Sequence, residues 1–525
     1  MTSFHWLLFI LIVQVIHFLG TWKLYVAAGR KSWEAAIPVY NAIVLMKIIN
    51  RPSWWTLLLF IPIVNLIMFP VVWVETIRSF GKNAALDTFL VIATFGFYIY
   101  YINYTQKLNY IADRSLTPKN KTADTISSLL FAIVVATIVH GYVIQPFNIP
   151  SSSLEKSLLI GDFLFVSKFH YGARPPMTAV AAPMVHDTLP LLNKKSYLNW
   201  PQLPYLRLPG FQKIKNNDIV VFNWPRDTLY NMYLPADKRY DKPVDKKTNY
   251  VKRCVGIPGD SLSIKNGIVF INGKELILPE RAKPQYSYKI ANDGKTSIDF
   301  GTLLESLNVT EQAGFSDNIK RDTLYVRALT FEAAEKLKNT PGITAVERII
   351  NKGPEDGIFP DFKDGKPSVN NNWSCDNYGP IYIPEAGKTV ALNTTSLPFY
   401  KIIITEYEGN KLSVVGNDIY VNDQKATTYT FKQNYYWMMG DNRHNSLDAR
   451  YFGYTPENHV VGKPVFIWLS LDPNKKGLSK IRWERVFTTV SGEGQPQSYF
   501  RYFLIFLALY FGIEYFVKKR KKTEA

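Results

Sequence analysis

At 525 residues the chain exceeds one ordinary compact domain of roughly 100–200 residues, and its 47% hydrophobic content is that of a folded protein. Two cysteines, Cys254 and Cys375, exclude a disulfide framework and a cysteine metal site, leaving one bridge or two packed thiols. The formal net charge of +18 sits largely beside apolar segments, as at Lys518, Lys519, Arg520, Lys521 and Lys522. No zinc-finger, helicase or phosphate-loop spacing accompanies it, so membrane flanking is read in place of nucleic-acid binding.

Apolar residues crowd the first 146 positions and the last 27. Stretches 4–20, 54–74, 88–103 and 126–146 approach the roughly 20 residues a helix needs to cross a bilayer. Four N-terminal crossings are therefore predicted. A fifth, Tyr502 to Val517, is short and carries Glu514, but a basic cluster follows it. No basic residue precedes the first stretch and no small-residue cleavage site closes it, so it is expected to be retained as a helix.

Orientation follows from the basic residues. Lys23, Arg30, Lys31, Lys47 and Arg51 lie between the first two crossings, and Lys107, Arg114, Lys119 and Lys121 between the third and fourth. Only Arg78 and Lys82 lie between the second and third. The two richer loops are expected inside, which places the N-terminus and everything just beyond residue 146 outside, and the basic C-terminal tail inside.

This divides the chain into a membrane region over 1–125, of about three helices plus an interfacial segment near 32–48, and a helix over 126–146 leading outward. An exported domain over 147–498 follows, then a terminal helix with a basic tail over 499–525. Within the exported domain, Asp218–Phe222, Gly267–Asn272, Lys401–Tyr407, Asp418–Asn422 and Val465–Leu469 are short runs rich in β-branched and aromatic residues, bounded by turn formers. They predict a mainly β domain, with Asn272-Gly273 as a hairpin turn. Residues 173–216 and about 285–400 read as loop-like insertions, the second with a helical patch near Leu329–Lys338.

Three segments carry candidate chemistry. Phe147-Asn-Ile-Pro-Ser-Ser-Ser-Leu-Glu-Lys156 presents three serines just past the fourth crossing. Tyr250-Val-Lys-Arg-Cys-Val-Gly-Ile-Pro-Gly-Asp260 places Lys252 in an alternating apolar run. If that run turns the lysine inward, desolvation lowers its pKa of about 10.4 by roughly 2–3 units, so that a neutral amine can take a serine proton. Gly440-Asp-Asn-Arg-His-Asn-Ser-Leu-Asp-Ala-Arg450 gathers hydrogen-bonding side chains between aromatic runs, and Ser446 there is a hydroxyl suited to orienting an amine.

In this order, and with Asn217-Asp-Ile-Val-Val-Phe-Asn-Trp-Pro225 between the first and second, these segments resemble the motifs of bacterial type I signal peptidases. The resemblance covers roughly 126–172, 214–280 and 430–470. It implies a signal-peptidase-like β catalytic domain and removal of signal peptides from exported precursors after small residues at −1 and −3. It leaves the extra N-terminal helices and the long insertions unexplained, so the fold expected is a multi-pass helical anchor, read from the apolar stretches, plus that β domain with long insertions. It implies Ser153 as nucleophile, Lys252 as general base, Ser151 as a donor to the oxyanion and Ser446 as the hydroxyl that orients the lysine. Arg253, Asp441, Arg443, Asp448 and Arg450 are implied as scaffolding. No metal or organic cofactor is implied, and the expected partners are precursor proteins and membrane lipid. The sequence departs from the family pattern at Leu154, Lys156-Ser157, His444 and Ala449. Two other readings remain open at this stage. Ser153-Leu-Glu-Lys156 satisfies the Ser-x-x-Lys tetrad of penicillin-binding acyltransferases, although Ser-Asp-Asn and Lys-Thr-Gly do not follow it. A non-catalytic membrane scaffold is the other.

Overall fold

The computed structural model describes residues 3–117, 120–190, 192–232, 238–317, 321–360 and 372–523. Lys119 and residues 361–371 of the second insertion lie outside the described residues, as do the side chains of Lys521 and Lys522. Two compact units form. One is Met1–Val143 with Arg174–Leu208 and Tyr240–Lys247, and the other is Ile144–Ala173, Pro209–Arg239 and Thr248–Ala525. Most of the first insertion thus groups with the N-terminal helices, although its place in the sequence assigned it to the exported domain.

The first unit is helical: α1 Ser3–Ala27, α2 Tyr40–Ile48, α3 Trp55–Leu58, α4 Val64–Ser79, α5 Ala85–Ala93, α6 Tyr98–Thr105 and α7 Lys121–Ile138. Among the described residues of the whole chain, Phe4–Ala27, Lys121–Val143 and Phe500–Arg520 are helices long and apolar enough to cross a membrane. The expected crossings at 54–74 and 88–103 are not single helices. The first breaks between α3 and α4, where Ile63 takes φ 71°. The second is α5 and α6, bent by 118° about Phe95 and Gly96.

Both stretches leave one end of the unit and come back to it. Arg51, ahead of α3, reaches Glu75 near the end of α4 at 2.9 Å, and Arg114 reaches the same carboxylate at 2.6 Å. The Ile111 N–H donates to the Ser79 carbonyl, and Lys82 Nζ donates to Gln106 Oε1 at 3.2 Å. Arg78 and Lys82 therefore share an end with Arg51 and Arg114, which corrects the expectation that they face the opposite side. Basic residues from all three loops gather around one buried glutamate.

In the second unit the main sheet contains β1 Ile144–Asn148, β2 Asp162–Ser167, β3 Ile219–Asn223, β4 Asn249–Gly256, β5 Tyr435–Met439 and β6 Val460–Ser470. Their spatial order is β1-β2-β6-β3-β4-β5, every pairing is antiparallel, and Thr455–Pro456 closes the β5 edge. β3 and β5 are buried at every position, since both faces of the sheet are covered. Val220 and Phe222 join one apolar core with Cys254, Trp437 and Met438, while Ile219 and Val221 join another with Leu154, Leu158 and Leu164. Strand alternation thus splits adjacent residues between two cores.

The Asn272-Gly273 turn forms as expected, with φ 52° and 80° as a two-residue hairpin of this type requires. Two expectations fail. Lys401–Tyr407 reads as a strand but lies in a helix, Leu397–Ile402 running into a π-turn over Ile403–Tyr407. Pro398 sits in its first turn, and Tyr400, Ile403 and Ile404 make the i, i+3, i+4 face that enters the core, so packing overrides the β-branched composition. The second insertion is not loop-like over 285–348. Strands Ile343–Arg348, Gln285–Asn292, Thr323–Thr330 and Ala313–Phe315 form a sheet in that order. With α8 Phe300–Ser306 and α9 Phe331–Lys338 they enclose their own core of Tyr286, Tyr288, Ile290, Leu324, Val326 and Leu337.

Because the basic loops share an end, Lys82→Cys and Lys107→Cys will be modified by an impermeant maleimide from the same side of the membrane. Modification from opposite sides would show that 85–105 crosses the bilayer instead of returning.

Candidate active site

The segment after β1 leaves the sheet at Ile149, makes a 3₁₀ turn over Ser152–Leu154 and returns to β2. The Gly161 N–H to the Ile149 carbonyl and the Ile149 N–H to the Asp162 carbonyl close this excursion. Leu154 and Leu158 sink into the core beneath it, which pins the turn. Ser153 is 6% exposed, while Ser151 ahead of it is exposed with an extended backbone.

Lys252 lies mid-way along β4, opposite Val220 on β3. Alternation puts it on the face of Tyr250 and Cys254. Its amine is 2.5 Å from Ser153 Oγ and 5.5 Å from the Tyr250 ring, and the residue is only 5% exposed. Burial pushes its pKa down from 10.5 to about 8; Asp448 opposes the fall and Arg450 adds to it. The rival lysine is occupied elsewhere. Lys156 Nζ donates to the Asn308 carbonyl and stands 3.9 Å from Glu155 Oε1. The serine also lies within a short 3₁₀ turn and opens no α-helix, so the acyltransferase tetrad is absent as a structure.

The five scaffold residues form two buried ion pairs and an anchor. Arg253, next to Lys252 and facing the other way, grips Asp441 with Nε to Oδ1 at 2.8 Å and Nη2 to Oδ2 at 2.6 Å. Ser157 Oγ donates to the same carboxylate at 2.6 Å. Arg450 makes the same fork on Asp448 at 2.9 and 2.8 Å, and Asp448 accepts the Gly440 N–H at 3.1 Å. Burial alone would raise both carboxyls, but Arg253 brings Asp441, and Arg450 brings Asp448, below the usual carboxylate range. Their stabilisation is complete above the unfolded value near 3.9 and is lost as pH falls through the lower folded values. Arg443 is buried, with its backbone N–H on the Gln285 carbonyl and Nη1 4.0 Å from Met439 Sδ.

Loop 440–446 lies directly on the Ser152–Leu154 turn. The Asn442 N–H donates to the Ser153 carbonyl at 3.1 Å, and a Cβ at Gly440 would collide with that carbonyl oxygen and with Ser446 Oγ. Only glycine fits there. Ser446 is accordingly beside the site, but its buried hydroxyl makes no hydrogen bond among the described residues. The expected bond to the lysine amine is not made in this geometry.

Sequence reasoning missed the second set of supports. Asn442 Nδ2 donates to the Ser152 carbonyl at 3.3 Å and Asn445 Nδ2 to Ser152 Oγ at 3.2 Å. Both residues stood in the quoted motif, but two amides in a polar loop carry no signal of their aim. Cys375, Asp376 and His444 bring thiol, carboxylate and imidazole within 4.8 Å of one another. Hydrogen bonds account for the imidazole, since Nδ1 accepts the Ser287 N–H at 3.0 Å and Nε2 donates to Asp376 at 2.9 Å. Burial pushes the Cys375 thiol up to about 12, so it is neutral. This group is a tie between the inserted sheet and the catalytic loop. Cys375 and Cys254 are both free and buried, which makes them packed thiols and not a bridge.

Comparison with known proteins bears on the same segments. The family model described as signal peptidase, peptidase S26, matches residues 122–326 and 384–469, more than half of the chain. The chain belongs to this family. Among the similar curated proteins are several named signal peptidase I. That of Buchnera aphidicola subsp. Acyrthosiphon pisum is 24% identical over 392 residues, 74% of this chain and 88% of the relative. Those of Haemophilus influenzae (22% over 388 residues; 71% and 78%) and Helicobacter pylori strain J99 (22% over 377 residues; 70% and 92%) are similar over comparable spans. Residues 33–113 match a separate family of unknown function, DUF5684. As an S26 peptidase the chain is a membrane-anchored serine endopeptidase.

Replacing Arg253 by methionine leaves Asp441 buried and unpaired, and is expected to cost about 3–5 kcal/mol of stability. Lys252→Met has the opposite sign. Holding this amine protonated in the folded state costs about 3 kcal/mol, given its fall from 10.5 to about 8. The variant should therefore melt higher at pH 7, and its advantage should shrink as pH rises from about 8 towards 10.5. Thermal unfolding in detergent measures both.

Proposed function

We propose that this signal peptidase I cuts exported precursors with Ser153 as nucleophile and Lys252 as general base. The observation that carries the reading is the buried amine 2.5 Å from the hydroxyl, with a pKa of about 8. A neutral Lys252 takes the Ser153 proton, and Oγ adds to the scissile carbonyl. The amine then returns that proton to the leaving amino group, which departs as the new N-terminus of the mature chain. Water, deprotonated by the same amine, cleaves the acyl-enzyme and restores Ser153. The Ser153 N–H and the exposed Ser151 hydroxyl are the donors proposed for the oxyanion. Ser446 has an unspent hydroxyl beside the turn and is the partner proposed for the amine once Ser153 is acylated. The precursor lies extended along the sheet with small residues at −1 and −3.

Sidedness belongs to the same proposal. The basic loops that share one end of the first unit mark the cytoplasmic face, so α7 runs outward. The exported domain, proposed over 147–498, then carries Ser153 on the outer side, a few residues past a crossing, where the cleavage site of a translocated signal peptide emerges. The terminal helix returns the basic tail to the inside.

Purified protein and a preprotein substrate test the dyad. Ser153→Ala, Lys252→Ala and Lys252→Arg should each abolish cleavage, the last because a guanidinium stays protonated. Cleavage by either alanine variant at the wild-type rate would remove the mechanism. In the wild type, kcat/KM should rise with pH up to a midpoint at about 8 and level off above it, because the base must be neutral.

A further inference from the structure

The inserted subdomain over 285–348 reaches the nucleophile turn through three residues of the short stretch 308–311. Asn308 accepts from Lys156 Nζ through its carbonyl, and Thr310 Oγ1 donates to Glu155 Oε1 at 3.1 Å. Glu311 Oε1 accepts from Asn445 Nδ2 at 3.0 Å and from Asn442 Nδ2 at 3.3 Å. These are the two amides that hold Ser152, one on its hydroxyl and the other on its carbonyl. An amide side chain presents donor or acceptor according to which way it is turned. A carboxylate only accepts, so one beside both amides keeps both NH2 groups facing it, and their remaining hydrogens facing Ser152. The subdomain is fastened at the same place from the other side: the Gln285 N–H donates to the Asp441 carbonyl at 2.8 Å, and Ser287 bonds His444.

We propose that Glu311 is a positioning residue for Ser153, acting through Asn442 and Asn445. The inserted subdomain is then a working part of the active site and no mere decoration of its rim. Glu311 touches neither the dyad nor, on this reading, the substrate. What it sets is the orientation of the two amides, hence the place of Ser152 and the aim of the hydroxyl that follows. Misplacement of a reacting group by about 1 Å can cost on the order of a hundredfold in rate. A loosened but still tethered serine should lose less than that, about tenfold, and should lose it in kcat.

This inference rests on the Ser153–Lys252 reading, and the experiment separates the two. Full-length Glu311→Leu, Glu311→Gln and Asn445→Leu are assayed on the preprotein beside Ser153→Ala. Glu311→Leu should lower kcat about tenfold with KM and the pH midpoint near 8 unchanged. Glu311→Gln, whose amide oxygen can still accept, should recover most of the rate. The double variant Glu311→Leu/Asn445→Leu should lose less than the two single losses combined, because Glu311 acts partly through Asn445. Wild-type kcat in Glu311→Leu, a loss confined to KM, a glutamine variant as poor as leucine, or additive losses in the double variant would each overturn the proposal. Should Glu311→Leu fail to fold, the glutamine variant and Asn445→Leu still decide: the first near wild type with the second about tenfold slower upholds the clamp, and the reverse order overturns it. If Ser153→Ala itself cleaves, the dyad has failed, whatever Glu311 does.

Discussion

The main sheet of the second unit maintains one unfavourable arrangement, a lysine amine held away from water against a serine hydroxyl. Water would keep that amine charged and useless as a base at neutral pH. The sheet withholds water by placing Lys252 between Val220 and Cys254 on a strand whose neighbours are buried on both faces. The cost falls on folding, and the apolar cores on the two sides of β3 and β4 are what offset it. Acidic partners would defeat the purpose. Asp441 and Asp448 are the nearest carboxylates that raise the amine's pKa, and each is engaged by an arginine of its own.

Those arginines explain why the loop after β5 is built from charge in a place an apolar core could occupy. Replacing a buried pair with hydrophobic residues is often neutral for stability, so stability alone does not account for two of them. Geometry does. Arg253 is adjacent to Lys252 on β4, so its fork on Asp441 registers the loop against the strand that carries the base. Arg450 and the Gly440 N–H on Asp448 close the loop on itself. The Asn442 N–H then meets the Ser153 carbonyl. Lys252 and Ser153 come from segments 99 residues apart, and a third segment sets the distance between them.

Legibility in the sequence followed how local each determinant was. The Asn272-Gly273 hairpin was readable because two adjacent residues must take positive φ and those types tolerate it. The order of the motifs pointed to Lys252 and Ser153 as partners, and the structure places them in contact. The two hairpins of the first unit were not readable, because Ile63 and Phe95, at which they turn, take φ 71° and 51° although neither is a residue type that favours it, and the lone Gly96 beside Phe95 is too weak a signal in an apolar run. A hydropathy window sees only that both arms are apolar. The inserted sheet was hidden for a different reason. Its strands are separated by α8 and α9 and by long connections, and its core exists only once Tyr286, Tyr288 and Ile290 meet Leu324 and Val326. The Lys401–Tyr407 run shows the converse, a strong β composition that tertiary packing turned into helix. The supports of Ser152 depend on where three separate loops end up, and composition cannot report that.

The same geometry shows which lysine lies against the serine. Lys156 is three residues from Ser153 in sequence and Lys252 ninety-nine, so proximity along the chain favours the wrong one. Lys156 takes φ 71°, and its amine is held by the Asn308 carbonyl beside Glu155. Both of its charged neighbours, Glu155 and Glu311, favour its protonated form and so oppose the lowering that its burial brings. Lys252 has burial as its chief influence and no carboxylate in contact. An acceptor loop holds the amine of one lysine as a hydrogen-bond donor, and a dry strand gives the other the lowered pKa that the proposed base requires. The loop that does this to Lys156 is the one that carries Glu311.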